Sequence, residues 1–323
     1  MAAELAHRNI ETNGIRMHIA EQGEGPTVLL CHGFPECWYS WRHQLAALAA
    51  AGFRAVAPDM RGYGQTDAPP EIDRYTLLHL VGDMVGVLDA LGVARAVIAG
   101  HDWGGPVAWL AARLRPDRFP AVIGLSVPYT PRRPARPTSV MPQTEEAIFY
   151  QLYFQQPGVA EAEFERDVRG TMRRVLVGIS GDAAGGGFGM VPRRGGFLSN
   201  AGDPPALPAW LGAADIDYFV GEFARTGFRG GLNWYRNIDR NWELAAAFDG
   251  VPVAVPALYI AGERDPVVRF PGMDRLIPNL AQFVPQLRAT IMLPGCGHWT
   301  QQERPAEVSA AMIDFLRGLP GWS

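Results

Sequence analysis

Lysine is missing altogether: all 29 basic residues of the 323-residue chain are arginine, set against 33 acidic ones. Chemistry that needs a lysine amine is therefore excluded. Cysteine is scarce, with only Cys31, Cys37 and Cys296. Three thiols make no disulfide framework and fit a reducing, cytoplasmic setting. Charge of one sign is not in excess, at −4 net, so no nucleic-acid or other polyanion partner is implied. Apolar runs are short. None approaches the ~18 residues of a spanning helix, and the N-terminus carries no basic segment followed by an apolar core, so neither membrane nor secretory signal is expected. Arginine in place of lysine, with abundant Ala, Gly and Pro, reads as the codon usage of a GC-rich bacterial genome.

What is present is an ordinary globular balance, 48% hydrophobic and 19% charged, in a chain long enough for one large α/β unit with an insertion. Residues 7–22 predict a hairpin turning at Asn13-Gly14. Short apolar runs at 27–31, 53–57, 94–99 and 121–127 read as buried strands, and helical spacing fills the gaps between them. The alternation implies a mostly parallel sheet flanked by helices on both faces. It stops near residue 130. A Pro/Arg-rich linker leads to a helical pattern over 145–176, a Gly/Pro-rich stretch over 178–208 that reads as a long mobile loop, and helices over 213–226 and 231–247. Strands at 256–261 and 289–293 and a helix at 305–318 resume the alternation. The expected organisation is a core of 1–129 and 247–323 with a helical cap, 130–246, inserted in it.

Chemistry enters at Gly100-His101-Asp102-Trp103-Gly104-Gly105, between a strand and an amphipathic helix. Small residues on both sides permit the sharp turn of a nucleophile elbow, with aspartate where lipases carry serine. An Asp so placed could equally be a helix N-cap. As a nucleophile it needs no base, because its unperturbed pKa of ~3.9 leaves it ionised, and it can attack a saturated carbon to form an ester. Epoxides and alkyl halides are the matching substrates. Asp265 and His298 follow the two later strands, in the chain order nucleophile, acid, histidine. Taken singly, Asp265 before Pro266 reads as a turn residue and His298 as a structural histidine. Taken together, His298, neutral at pH 7 with a pKa near ~6.5, would activate water against the ester while Asp265 orients its ring. The tetrahedral oxyanion needs backbone donors, assigned to the N–H groups of Trp103 and of Phe34 in His32-Gly33-Phe34-Pro35, where a cis bond before Pro35 is plausible.

These segments, with Trp38-Tyr39-Ser40-Trp41-Arg42, Met60-Arg61-Gly62-Tyr63-Gly64 and Gly297-His298-Trp299, resemble the soluble epoxide hydrolase family of α/β-hydrolases over nearly the whole chain. The resemblance implies two cap tyrosines that hydrogen-bond the epoxide oxygen. Phe149-Tyr150-Gln151-Leu152-Tyr153 is similar to the segment bearing the first, mapped to Tyr150 rather than Tyr153, and Asn233-Trp234-Tyr235-Arg236-Asn237 to the segment bearing the second, Tyr235. Phenols suit the task independently: each is a good donor and a weak acid, of pKa near ~10. Taken alone, either could simply be amphipathic cover. Phe34, Pro35, Trp103, Gln151, Phe154 and Trp299 are the expected pocket residues, for a small apolar epoxide and water. No metal or organic cofactor is expected. The extra N-terminal phosphatase domain of vertebrate members has no expected counterpart. Relatives include monomers and homodimers, and substrate range and role (detoxification, catabolism or biosynthesis) stay open. The rival readings are a haloalkane or fluoroacetate dehalogenase with the same Asp nucleophile, and a non-catalytic ligand receptor on the same fold. Haloalkane dehalogenases commonly carry an asparagine at the position of Phe34 or a cap tryptophan, and fluoroacetate enzymes an arginine at that of Trp103.

Overall fold

The computed structural model describes residues 4–183 and 189–322. Strands β1 (Ala6–Thr12) and β2 (Ile15–Gln22) pair antiparallel across Asn13-Gly14, both at positive φ as a two-residue hairpin turn requires. β3 (Thr27–Cys31), β4 (Arg54–Pro58), β5 (Val97–His101) and β6 (Val122–Leu125) follow. A separate antiparallel ribbon joins β7 (Ala147–Phe149) to β8 (Met190–Pro192), and β9 (Ala257–Gly262) and β10 (Leu287–Leu293) complete the main sheet. Its order is β1-β2-β4-β3-β5-β6-β9-β10, parallel from β4 onward. Central strands such as β3 and β5 are buried at every position, and apolar but for Thr27 and His101 at their ends, because both faces are covered. Helices α1 (Arg42–Ala50), α2 (Leu77–Ala90) and α3 (Gly104–Leu114) come from the first half. Leu45 and Leu48 of α1 pack on one face of the sheet, while Leu80, Met84 and Val87 of α2 and Val107 and Ala111 of α3 pack on the other.

Between β6 and β9 the chain leaves the sheet and forms the inserted helical cap, with α4 (Tyr150–Tyr153), α5 (Val159–Phe164), α6 (Val168–Gly178), α7 (Ala213–Thr226), α8 (Arg229–Arg236) and α9 (Ile238–Leu244). The last helices are α10 (Met273–Leu276), α11 (Thr300–Glu303) and α12 (Pro305–Arg317). Val308 and Met312 of α12 join α1 on its face of the sheet. Polar bonds seat the cap on the core: Trp234 Nε1 donates to the Arg61 carbonyl at 3.1 Å, Trp38 Nε1 to the Tyr218 hydroxyl at 2.7 Å, and Trp299 Nε1 to the Leu176 carbonyl at 2.6 Å.

The structure departs from the sequence expectation mainly in the cap. The helix expected over 145–176 is interrupted: 147–149 is a strand, and Pro157-Gly158, with Gly158 at positive φ, separates α4 from α5. Ile148 and Phe149 favour a strand, but their partner β8 lies some forty residues on, beyond the reach of local periodicity. The stretch over 178–208 includes β8 and a 3-10 turn at Phe197–Asn200, so it is not one long loop; its residues 184–188 lie outside those described. Asn237 divides the helix expected over 231–247. The strand before the elbow starts at Val97 and reaches His101, rather than spanning 94–99.

Candidate active site

Asp102 takes the chain from β5 into α3 at φ +50°, a left-handed value rare for a residue with a side chain. The bend fits only because its neighbours are glycines. A Cβ on Gly104 would lie 2.1 Å from the Cys31 carbonyl oxygen, and one on Gly33 2.3 Å from Asp102 Oδ1. The carboxylate therefore stands at the carboxyl end of the sheet, where open parallel sheets build their sites. Its side chain keeps 14% exposure, so it faces space rather than packed atoms. The Phe34 N–H donates to its Oδ1 at 2.8 Å, and the Phe34–Pro35 peptide is cis.

His298 and Asp265 arrive from the loops after β10 and β9. His298 Nε2 lies 3.5 Å from Asp102 Oδ2, and its Nδ1 lies 3.0 Å from Asp265 Oδ1. The same Asp265 oxygen accepts the Val267 N–H at 2.9 Å. The three residues named from sequence thus stand in one line, His298 between the two carboxylates. Burial disfavours the Asp102 charge, but His298, His101 and the Phe34 amide outweigh it and hold the carboxyl below its ordinary pKa. Asp265 is likewise held low against its burial, chiefly by His298. Burial pushes His298 down, yet the two carboxylates raise it well above 6.5. Two anions beside the ring favour its imidazolium form in the resting site, whereas the neutral form expected for water activation belongs to the stage at which Asp102 carries no charge.

The cap supplies the opposite wall. Tyr150 opens α4 and Tyr235 lies on α8; both are buried, with ring centroids 5.9 Å apart. Tyr235 meets Trp103 and Phe34 edge-on at 5.1 and 5.5 Å. Gln151 Nε2 donates to the Tyr150 hydroxyl at 3.0 Å. Burial raises the pKa of both phenols and the Asp102 charge raises it further, so both stand in the field of that carboxylate. Tyr153 does not join them; its hydroxyl donates to Glu163 at 2.7 Å within the cap. Phe154 packs edge-on against Tyr235 at 4.9 Å and Phe34 at 5.9 Å. Trp299 is fully buried with its ring 4.7 Å from that of His298, behind the imidazole.

The α/β-hydrolase fold family model matches residues 26–170. The chain is 47% identical over 317 residues to Epoxide hydrolase A of Mycobacterium tuberculosis, covering 97% of each. It is 44% identical to Epoxide hydrolase 2 of Siraitia grosvenorii, covering 97% of this chain and 99% of that one. A solved epoxide hydrolase from an endophytic Streptomyces superposes with a TM-score of 0.93 at 47% identity, covering 97% of this chain and 96% of that one. The chain belongs to the epoxide hydrolases of the α/β-hydrolase fold.

Behind the triad this epoxide hydrolase carries a buried polar network whose roles the sequence did not reveal. His101, beside Asp102, places Nδ1 2.8 Å from Glu36 Oε2 and donates Nε2–H to the His298 carbonyl at 2.7 Å. Glu36 Oε1 accepts from Gln301 and Gln302 at 3.1 and 3.0 Å. Burial opposes the Glu36 charge, but His101 outweighs it and keeps the carboxyl below its ordinary pKa. A Glu and a His inside otherwise apolar segments were the available signal. Ser126 lies where the sequence predicted a strand interior, so nothing local marked it. Its Oγ is 3.1 Å from His298 Nδ1.

Proposed function

We propose that the chain hydrolyses epoxides to vicinal diols through a covalent ester on Asp102, with residues 130–246 as cap over a core of 1–129 and 247–323. A carboxylate oxygen of Asp102 attacks a ring carbon, the carbon–oxygen bond breaks, and the departing oxygen takes a proton from Tyr150 or Tyr235. Alkylation removes the Asp102 charge, and with it one of the two anions that raise His298. The ring then gives up its proton, which returns through solvent to the tyrosinate, and becomes the base. Water gives a proton to Nε2 as its oxygen adds to the ester carbonyl carbon. The resulting oxyanion accepts from the Phe34 and Trp103 amides; its collapse expels the diol as an alkoxide, which takes the proton of the added hydroxyl, and Asp102 is restored as a carboxylate. Phe34, Pro35, Trp103, Gln151 and Phe154 form the pocket wall, and Trp299 backs His298.

One observation carries this reading: two buried phenols from separate cap helices stand with ring centroids 5.9 Å apart, one of them edge-on to Trp103 and Phe34, which adjoin Asp102. Hydrogen-bond donors fixed opposite a nucleophile suit an oxygen leaving group. The dehalogenase reading lacks such support, since Phe34 offers no side-chain donor. The substrate class is a small apolar epoxide. The three free, buried cysteines support a cytoplasmic setting. Among the described residues no helix is long and apolar enough to cross a membrane.

His298→Gln tests the route. After exposure to styrene oxide, the peptide containing Asp102 gains the full mass of the epoxide, while the unmodified enzyme yields diol and releases no bromide from 1-bromobutane. Loss of turnover with substrate bound and no adduct would refute the ester, and bromide without diol would refute the substrate class.

A further inference from the structure

Among the described residues, three other than glycine sit at positive φ: Asn13, Asp102 and Ser126. Asn13 is accounted for by its hairpin and Asp102 by its elbow. Ser126, at φ +67°, is neither a hairpin residue nor exposed. It follows β6, and the Val127 N–H donates across it to the Leu125 carbonyl at 2.8 Å. An i→i+2 bond about a positive φ is the rare, strained form of γ-turn. Its backbone is held from β9 on both sides: the Ser126 N–H donates to the Ile260 carbonyl at 2.9 Å, and the Tyr259 hydroxyl donates to the Ser126 carbonyl at 2.7 Å.

The consequence of this turn is where it puts one oxygen. Ser126 Oγ lies 3.1 Å from His298 Nδ1, almost as near as Asp265 Oδ1 at 3.0 Å. The Nδ1–H thus has two oxygen acceptors, one charged and one neutral. A sheet buried on both faces offers the strained turn no solvent to relax into, so the fold maintains it against local preference.

We propose that Ser126 is a positioning residue of the hydrolytic half-reaction: its hydroxyl shares the Nδ1–H of His298 with Asp265, fixes the ring so that Nε2 faces the ester carbon, and stabilises the imidazolium formed as water is deprotonated. The proposal rests on His298 being the base described above. The group that faces Nε2 is Asp102; those that face Nδ1 are Asp265 and Ser126. His101 reaches the same residue through its carbonyl oxygen, and its ring lies 4.9 Å from the imidazole.

Removing a neutral acceptor from the imidazolium lowers the basicity of His298. Ser126→Ala therefore slows ester hydrolysis about five- to tenfold. Ester formation changes by less than twofold, and the acid limb of the hydrolysis rate moves to lower pH. Ser126→Gly removes the same hydroxyl but relieves the left-handed backbone, so it reports on the hydroxyl even if the alanine variant folds poorly. Both are measured by rapid quench and mass analysis of the Asp102 peptide with styrene oxide. Ester accumulation with a shifted limb in the glycine variant supports the proposal. Hydrolysis at the unmodified rate with an unmoved limb in Ser126→Gly overturns it and leaves the triad reading intact. No ester in His298→Gln overturns the covalent reading itself, and this proposal with it.

Discussion

At the residue scale the two cap phenols face different tests from the triad. In the proposed mechanism each is one of two donors to the same developing alkoxide, so removing one leaves the other in place. Tyr150→Phe or Tyr235→Phe should slow ester formation on the order of 10²-fold, the usual loss for an oxyanion donor, with ester hydrolysis nearly unchanged. Tyr153→Phe, by contrast, loses only its bond to Glu163 and should leave turnover within about twofold. Equal losses at Tyr150 and Tyr153 would remove Tyr150 from the site. The selection of Tyr150 over its neighbour three positions on depends on α4 starting at Tyr150 itself. That start puts the two tyrosines on one short turn, pointing at different partners.

At the scale of elements the elbow is a contact between β3, β5 and α3 that allows no side chain. The carbonyl oxygen of Cys31, a backbone atom of a central strand, lies where a Cβ on Gly104 would be. Gly104→Ala should destabilise the fold by about 3 kcal/mol, a drop of roughly 6–12 °C in Tm. Gly221 is the contrasting case. It lies exposed on α7 with nothing near its missing Cβ, so Gly221→Ala should be neutral or stabilise by about 0.5–1 kcal/mol. Thermal melts of the two variants, run side by side, decide whether packing or helix propensity governs each position. Equal shifts would contradict the close approach at the elbow. The same comparison explains why the elbow was legible in sequence and the cap was not. Gly33, Gly100, Gly104 and Gly105 mark a turn by themselves, whereas β7 is a strand only because β8 reaches it from a distant part of the chain.

For the whole molecule, acid and alkaline limits follow from opposite shifts. Asp102, Asp265 and Glu36 have lowered pKa values in the fold. Their stabilisation is present above the unfolded carboxyl values of ~4 and is lost as pH falls through the folded ones. His298 is raised, so its stabilisation is complete below the unfolded value of ~6.5 and is lost as pH rises through the folded one. Tm should be highest between about pH 5 and 7 and decline on both sides. His298→Gln should flatten the alkaline decline and also weaken the acid one, because the imidazole is what holds Asp102 and Asp265 low, leaving the part that comes from Glu36. An alkaline limb unchanged by that substitution would show that the imidazolium between the two carboxylates does not stabilise the resting fold.

The sequence alone determined the alternating sheet, the elbow, the chain order of Asp102, Asp265 and His298, and the presence of an inserted helical segment. Each of these is written in local periodicity or in a run of small residues. Only the tertiary structure set the two carboxylates beside His298, because they lie 33 and 196 positions away along the chain. It alone placed Ser126 beside the imidazole, through a left-handed turn held by β9, and joined Glu36 to His101. Charge and hydrogen bonding act over a few ångströms of space, and no spacing along the chain records which distant groups will share them.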